Sequence, residues 1–192
     1  MTFYKVCRGI CNVLFRIFFR FKVIGKEKIP KDGKVIVCAN HISLLDPIAL
    51  AISIPRPINF MAKKELFENK FSKWLIGNLG AFPVDREGSD LSAIRNSMKV
   101  LKNNGILGIF PEGKRVYEPD IKNAKPGIGI IAVKAQAPVI PIYIDSKYRI
   151  FGKVLIKVGD PIKVDKYHKQ KTTGEDYKKL SEEIMYSIYS LK

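Results

Sequence analysis

The first 22 residues separate apolar from basic side chains when they are projected onto a helix at about 100° per residue. One side holds Phe3, Val6, Cys7, Ile10, Leu14, Ile17, Phe18 and Phe21. The other side holds Lys5, Arg8, Arg16, Arg20 and Lys22, together with Phe15 and Phe19. The pattern predicts a basic amphipathic helix over residues 3–22. Such a helix either packs on a domain core or lies in a membrane interface, and the two phenylalanines among the basic residues favour the interface.

Short apolar runs rich in β-branched residues alternate with helical patterns along the rest of the chain. The runs predict strands over residues 35–39, 58–62, 106–110, 139–144 and 154–158. Helical spacing predicts helices over residues 47–53, 71–79, about 90–104, 129–137 and 174–191. Alternating strands and helices are typical of α/β domains. We therefore expect one domain, residues 25–192, with a central mixed and largely parallel sheet flanked by helices, after an N-terminal interfacial helix within residues 1–24.

Two local signals refine these elements. Pro141 lies inside the fourth predicted strand and predicts an edge or irregular position, because proline has no N–H to give to a ladder. Thr172 and Glu175 have the spacing of a capping box and predict the start of the last helix.

The net charge of the chain restricts its partners. The 192 residues are enough for one domain with a substantial core, and 34 basic against 18 acidic side chains give a net charge of +16. Such a charge indicates an anionic partner: a nucleic acid, an anionic membrane or an acidic substrate. The aromatic residues lie mostly in apolar stripes and not among exposed Lys and Arg, which argues against a non-enzymatic nucleic-acid-binding protein.

Cysteine and histidine are too sparse for the usual metal sites. Cys7, Cys11 and Cys38 form no CxxC pair, and the sequence adds only His41 and His168. We expect no metal and no cofactor. We expect the cysteines to be reduced, as in a protein that faces the cytoplasm. The arginines in the apolar N-terminus, the lack of a small-residue cleavage site and apolar runs well short of ~20 residues predict neither a signal peptide nor a membrane span.

His41 follows the first predicted strand, and Asp46 comes five residues later. Residues five apart on one helix lie about 140° apart, so these side chains can pair only if the backbone turns between them. Asp46-Pro47 is a natural helix start for such a turn. A paired carboxylate would hold one imidazole nitrogen and leave the other as a base. The structural alternative is that Asp46 caps a helix, with Ser43 in a capping box, and that His41 is a hydrogen-bonded strand-end residue.

The strand predicted over residues 106–110 is followed by a charged turn. Gly108 to Lys114 fits the first part of a phosphate-loop pattern, but Arg115 stands where Ser or Thr would hold magnesium. Pro111 removes an amide donor and Glu112 adds negative charge, so we exclude nucleotide binding. Lys114 and Arg115 remain candidates for a phosphate clamp.

Five stretches of the chain resemble the ordered blocks of one known family. They are residues 40–46 (N-H-x-S-x-x-D), 62–66, 80–86 (ending in Asp-Arg), 110–115 (F-P-E-G-x-R) and 139–142. Their order and spacing resemble those of the membrane-associated glycerolipid acyltransferases, and among them the 1-acylglycerol-3-phosphate (lysophosphatidate) acyltransferases. Lys114 and Val116 depart from the small hydroxyl residues that are more common there, which affects the expected acceptor more than the expected reaction.

The resemblance implies a reaction and assigns residues to it. His41 is implied to be the base that removes the proton from the free hydroxyl of a lysophospholipid, and Asp46 is implied to orient it. The hydroxyl then attacks an acyl thioester without a protein nucleophile. The resemblance places the acceptor phosphate on Arg115, Lys63 and Arg86. It assigns the shape of the pocket to Asn40, Ser43, Glu112 and Gly113.

The implied partners are a lysophosphatidate acceptor in the lipid, an acyl donor carried by acyl carrier protein or coenzyme A, and an anionic membrane surface. No nucleic acid is expected. We expect a peripheral protein of bacterial type on the cytoplasmic face of the cell membrane, which makes phosphatidate for phospholipid synthesis. Other acceptors of related enzymes stay open, namely glycerol-3-phosphate, another lysophospholipid or a lyso-aminolipid.

Overall fold

The computed structural model describes residues 2–85, 91–116, 118, 120–121, 124–167 and 172–192, in which strands and helices alternate. The strands are β1 (Arg20–Ile24), β2 (Val35–Ala39), β3 (Ile58–Lys63), β4 (Phe82–Val84), β5 (Ile106–Ile109), β6 (Val139–Ser146) and β7 (Lys153–Val158). The α-helices are α1 (Thr2–Phe18), α2 (Asp46–Ser53), α3 (Lys70–Asn78), α4 (Leu91–Lys102), α5 (Gly127–Ala135) and α6 (Gly174–Tyr189). Each predicted strand and helix is present, and β1 and β4 are additional.

The seven strands form one sheet in the order β1-β7-β6-β2-β5-β3-β4. Every neighbouring pair is parallel except β6 and β7, which are antiparallel. The prediction of a mixed, largely parallel sheet is therefore confirmed. The carboxyl ends of β2 to β6 consequently meet at one edge of the sheet, where α/β proteins commonly place their sites.

The central strand β2 is buried on both faces and separates two apolar cores. Its residues Val35, Val37 and Ala39 pack in the core that also contains side chains of α1 and α2. Ile36 and Cys38 face the other core, with side chains of α4, α5 and α6. A strand buried on both faces requires a continuous apolar sequence, which is why its residues do not alternate with polar ones.

Helix α1 ends at Phe18, so the prediction that it continues to residue 22 is wrong. Residues 20–24 form β1 instead and pair in parallel with residues 153–157 of β7. The burial of β1 alternates: Arg20, Lys22 and Ile24 are exposed, and the two residues between them are half-buried. The apolar spacing therefore changes from a helical period to a strand period near residue 19, and the end of the N-terminal segment is a strand of the sheet.

Helix α1 turns the apolar side predicted for it away from the domain. Tyr4 and Phe15 are its buried residues, and the Tyr4 hydroxyl accepts the N–H of Ile58 at the start of β3 (3.2 Å). Large apolar side chains of the outward face are at least 36% exposed, namely Phe3, Val6, Ile10, Val13, Leu14, Ile17 and Phe18. The helix therefore packs on the domain through the side that contains Tyr4 and Phe15, while Lys5 and Arg16, which the sequence pattern groups with Phe15, are exposed.

Two local predictions need correction. Strand β6 pairs with β2 and β7, so Pro141 does not lie in an edge strand. The C=O of Pro141 accepts the N–H of Gly159, the residue after the end of β7. The nitrogen of Pro141 faces the same side as its C=O, beyond the end of β7, so its lack of an N–H removes no hydrogen bond between β6 and β7. The capping box of α6 is formed by Thr173 and Asp176, one residue later than predicted.

Candidate active site

The carboxyl ends of β2 and β5 bring two of the sequence blocks together. Gly108 of β5 lies level with Val37 of β2 and with Phe60 of β3. His41 and Glu112 each follow four residues beyond that level, and the backbone N–H of His41 donates to Glu112 Oε2 at 2.9 Å. The parallel sheet thus joins residues that are 71 positions apart in the sequence.

A tight turn pairs His41 with Asp46, as the spacing predicts. The distance from His41 Nδ1 to Asp46 Oδ2 is 2.8 Å, and the same oxygen accepts the backbone N–H groups of Ile42 and Ser43 at 2.7 Å each. A carboxylate oxygen can only accept, so in the neutral imidazole the proton lies on Nδ1. The lone pair of Nε2 can then accept a proton from another group.

Asp46 is fully buried, and both of its carboxylate oxygens accept hydrogen bonds. Its Oδ1 accepts the hydroxyl of Tyr148 at 2.8 Å. The structural alternative for this turn holds in part. Asp46 is the first residue of α2, and the N-cap is Leu45. Half of the capping box is present, because the Ser43 N–H donates to the Asp46 carboxylate. The Ser43 hydroxyl accepts the N–H of Leu45 at 3.2 Å and not that of Asp46.

Glu112 fastens the His41 loop to the C-terminal helix. Besides the N–H of His41 on Oε2, it accepts the Tyr189 hydroxyl on Oε1. Burial raises the pKa of Glu112, and these two hydrogen bonds oppose that rise. Burial also raises the pKa of Tyr189, so its hydroxyl keeps the proton that it donates. Glu112 therefore holds the backbone of the loop.

The imidazole of His41 lies against an aromatic stack. Its ring is 4.1 Å from the ring of Phe110, with an interplanar angle of 20°. Phe60 lies on the same stack, 6.0 Å from Phe110. The C=O of His41 accepts the N–H of Val116 at 2.8 Å, so the residues after Glu112 also run beside this loop. The plane of the imidazole is therefore set by Phe110 and its direction by Asp46.

Asn40 and Gly113 shape the backbone on either side. The Asn40 amide makes two hydrogen bonds with the backbone of Ile144, with Nδ2 donating at 3.1 Å and Oδ1 accepting at 2.7 Å, which ties the end of β2 to β6. Gly113 has φ +68° and donates its N–H to the C=O of Phe110, which closes the turn after β5. A positive φ of this size is ordinary for glycine and costly for most other residues.

Two of the basic residues predicted for phosphate, Arg115 and Lys63, lie at or beyond the same edge. Arg115 is exposed and precedes Val116, whose N–H reaches His41. Lys63 is exposed at the end of β3 and forms an ion pair with Glu65 at 2.9 Å. Arg86 lies outside the described residues.

An apolar cavity of about 370 Å³ opens beside the turn after β5. Its lining includes Met61, Ile94, Phe110, Gly113, Ile128 and Ile131. Phe110 therefore contacts both this cavity and the imidazole that it stacks on.

The described residues contain no group of three or more metal-ligating side chains. Within the same part of the chain, no helix has the length and apolar character needed to cross a membrane.

Comparison with known proteins assigns the chain to a family. The acyltransferase family model matches residues 20–145. The chain belongs to the acyltransferase family. It is an O-acyltransferase, as its sequence blocks predict.

Individual acyltransferases resemble the chain over most of its length. The 1-acyl-sn-glycerol-3-phosphate acyltransferase of Bacillus subtilis is 36% identical over 165 residues, which cover 83% of this chain and 82% of that protein. The enzyme of the same name from Streptococcus pneumoniae is 33% identical over 181 residues, covering 90% and 67%. The crystal structure of the 1-acyl-sn-glycerophosphate (LPA) acyltransferase PlsC from Thermotoga maritima matches with a TM-score of 0.75 and 29% identity, covering 98% of this chain and 78% of that one.

Sequence reasoning missed two tyrosines of this acyltransferase. Tyr148 donates to Asp46, and Tyr189 donates to Glu112. Both lie beyond residue 145, where the family match ends. No spacing rule indicates them, because they reach the site from the β6–β7 loop and from the end of α6, 102 and 77 positions away from their partners.

Proposed function

We propose that this acyltransferase moves an acyl group from a thioester of acyl carrier protein or coenzyme A to the free hydroxyl of lysophosphatidate and so forms phosphatidate. The observation that carries the proposal is the pair of His41 and Asp46, with Nδ1 bound to a fully buried carboxylate and the Nε2 lone pair available. The names of the two bacterial relatives support the choice of acceptor.

The chemistry follows from this pair. Nε2 of His41 takes the proton of the acceptor hydroxyl while the oxygen attacks the thioester carbonyl carbon. The tetrahedral intermediate collapses, the C–S bond breaks, and the imidazolium returns the proton to the leaving thiolate. Asp46 stabilises the imidazolium between these steps. A base of this kind contributes about 10²–10⁴-fold, so the remaining acceleration comes from positioning and from groups that stabilise the oxyanion.

A nucleophile from the protein is not needed for this route. Cys38 is the cysteine nearest in sequence to His41, and it is fully buried inside β2. Burial raises the pKa of its thiol, which opposes formation of a thiolate. Direct attack by the acceptor oxygen is therefore the simpler mechanism.

The acceptor phosphate is proposed to bind Arg115 and Lys63. Both are exposed cations, Arg115 in the segment beside His41 and Lys63 at the carboxyl end of β3. Arg86 joins them on the resemblance of its block alone. The wall of the site is proposed to be the backbone that is held by Asn40, Ser43, Glu112 and Gly113. The apolar cavity next to Phe110 is proposed to bind an acyl chain.

The attachment to lipid is proposed to occur through α1, within residues 1–24, while residues 25–192 carry the catalytic machinery. The exposed apolar face of α1 supports this proposal, because a face of this kind matches the acyl boundary of a bilayer. The net charge of +16 favours an anionic surface, and each Lys or Arg near it adds about 1 kcal/mol. The protein is then peripheral, on the cytoplasmic face where acyl carrier protein and coenzyme A are found.

The test of the reaction is a panel of donors and acceptors with purified protein and lipid vesicles. Acyl carrier protein and coenzyme A thioesters are each combined with lysophosphatidate, glycerol-3-phosphate and a lysophospholipid that lacks an exposed phosphate monoester. We expect phosphatidate as the main product. His41→Ala is expected to lower turnover by about 10²–10⁴-fold, and His168→Ala is the matched control at the other histidine of the sequence. Near-normal turnover by His41→Ala would contradict the mechanism.

Two further comparisons separate acceptor and membrane. Arg115→Ala is expected to impair acceptors with a phosphate monoester more than the others. Ile10→Glu, on the exposed face of α1, is expected to reduce sedimentation with anionic vesicles. Gly174→Glu adds the same charge at the start of α6, where an acidic residue suits the helix dipole, and serves as the control. Equal sedimentation of both variants would exclude α1 as the attachment site.

A further inference from the structure

Tyr148 completes the hydrogen bonding of the buried carboxylate of Asp46. Asp46 Oδ2 is shared by His41 Nδ1 and two backbone N–H groups, all within 2.8 Å. The other oxygen, Oδ1, accepts the hydroxyl of Tyr148 at 2.8 Å. The pair of His41 and Asp46 therefore depends on a side chain from outside the segment that the family match covers.

The backbone of Tyr148 is held in an unusual conformation. Its φ is +47°, in the left-handed region that tyrosine rarely adopts. The N–H of Tyr148 donates to Ser146 Oγ at 2.9 Å, and the N–H of Gly152 donates to the C=O of Arg149, so the loop between β6 and β7 is closed on itself. A conformation of this kind is strained for a residue other than glycine and persists only where the surroundings enforce it.

The same loop is joined to the carboxyl end of α1. The ring of Phe19 meets the ring of Tyr148 edge-on, with centroids 5.9 Å apart. The N–H of Phe151 donates to the C=O of Phe18, the last residue of α1, at 2.6 Å, and the N–H of Arg20 donates to the C=O of Gly152 at 2.8 Å. Tyr148 therefore lies between the proposed lipid-binding helix and the carboxylate.

We propose that Tyr148 is a positioning residue that holds the Asp46 carboxylate in line with the imidazole of His41 and connects this pair to the end of α1. The expected effect of Tyr148 on catalysis rests on the proposed function. Burial and the neighbouring Asp46 carboxylate raise the pKa of Tyr148, so the hydroxyl remains a donor at neutral pH. Since Oδ1 is fixed by this donor, rotation of the carboxylate away from His41 requires the loss of a hydrogen bond to a buried charge.

The first test is Tyr148→Phe, which keeps the ring against Phe19 and removes only the hydroxyl. We expect kcat to fall about tenfold, as for loss of one hydrogen bond to a charged group, while KM for lysophosphatidate and sedimentation with vesicles change by less than twofold. Tyr186→Phe makes the same change on an exposed side chain of α6 and is expected to match the wild type. A kcat of Tyr148→Phe within twofold of wild type, or a loss expressed mainly in KM, overturns the proposal.

The second test reads the imidazole directly and does not depend on turnover. The sequence contains two histidines, so histidine labelled with ¹⁵N gives two sets of ring signals, and His168→Ala assigns those of His41. We expect the Nδ1–H signal of His41 to be protected from exchange in the wild type and to exchange faster in Tyr148→Phe. Unchanged His41 signals in Tyr148→Phe overturn the proposal even if the activity falls.

A third variant tests the connection to α1. Phe19→Leu removes the aromatic edge contact and leaves the Tyr148 hydroxyl in place. We expect the Nδ1–H exchange of His41 to lie between wild type and Tyr148→Phe, and exchange equal to wild type removes the connection from the proposal. If the wild type transfers no acyl group in the panel of donors and acceptors, the proposed function fails, while the exchange data still decide whether Tyr148 positions Asp46.

Discussion

Replacement of Asp46 by Asn tests the proposed catalytic role of the pair of His41 and Asp46, because it removes the negative charge and keeps the size and shape of the side chain. The asparagine oxygen can take the place of Oδ2 and accept the N–H groups of Ile42 and Ser43, and its amide can donate to the hydroxyl of Tyr148, which can also accept. The turn is therefore expected to survive. What disappears is the negative charge that is proposed to stabilise the imidazolium of His41 during transfer.

The size of the effect follows from the geometry. Nδ1 and Oδ2 are 2.8 Å apart, which puts the centres of the two charged groups about 4 Å from each other. Asp46 is fully buried and His41 is 8% exposed, so little water screens the pair. At an effective dielectric constant of about 20, the attraction between unit charges at this separation is about 4 kcal/mol. Since about 1.4 kcal/mol corresponds to tenfold in rate, Asp46→Asn is expected to lower kcat by about 10³-fold.

The assay is release of free thiol from the acyl donor in the presence of vesicles that contain lysophosphatidate, with product identity checked by mass spectrometry. Asp145→Asn is the matched control, because Asp145 is a half-buried acid paired with Lys153 at 3.0 Å, and this variant is expected to stay within twofold of wild type. The melting temperature of each variant shows whether the fold is intact. A folded Asp46→Asn enzyme that keeps more than about a tenth of wild-type kcat would refute the electrostatic argument. Loss of an attraction of about 4 kcal/mol corresponds to a much larger decrease in kcat.

Two stability predictions concern the surroundings of the site. Burial raises the pKa of Glu112, so the folded chain binds this proton at a higher pH than the unfolded chain does. Proton binding therefore stabilises the folded chain as the pH falls from 7 through the raised pKa towards 4.5. The unfolding free energy of the wild type, relative to that of Glu112→Gln, is expected to increase over this range. Urea titrations over this range measure the difference, and the opposite slope would contradict it. Gly129→Ala is expected to cost about 1–3 kcal/mol by overpacking, because a Cβ would lie 2.2 Å from the C=O of Tyr177 in α6. Gly127→Ala, in the same helix with no atom within 4 Å, is expected to be neutral or stabilising, and equal stabilities of the two variants would disprove the close helix contact.

The strands and the turn that pairs His41 with Asp46 could be predicted from the sequence, because short-range patterns determine them. A continuous apolar run such as Val35 to Ala39 has few alternatives to a buried strand, and the separation of His41 from Asp46 permits contact only through a turn. The resemblance of the blocks then implied which residues share one site. These inferences depend on residues that are close in sequence or on a fixed order of blocks.

The parts that were wrong or missed depend on contacts at long range. Phe21 continues the helical spacing of α1 as well as it fits a strand, and only the pairing of β1 with β7 decides between them. The orientation of α1 was equally hidden, since Phe15 lies among basic residues in the sequence and is buried in the fold. Tyr148 and Tyr189 show the same limit, because their hydroxyl groups donate to residues that are distant in the sequence. Tyr148 donates to Asp46 from the β6–β7 loop, and Tyr189 donates to Glu112 from the end of α6.

A single residue, Phe19, separates α1 from the sheet strand β1. The buried side chains of Tyr4 and Phe15 also hold α1 on the domain, so the exposed face of α1 and the carboxyl edge of the strands have a defined angle and separation. For an enzyme docked through α1, this fixes the depth at which the catalytic edge meets the lipid. The acceptor then diffuses to the enzyme in two dimensions, and its mole fraction in the bilayer sets the rate in place of its bulk concentration. Dilution of lysophosphatidate with inert phospholipid at constant total amount is consequently expected to slow the reaction.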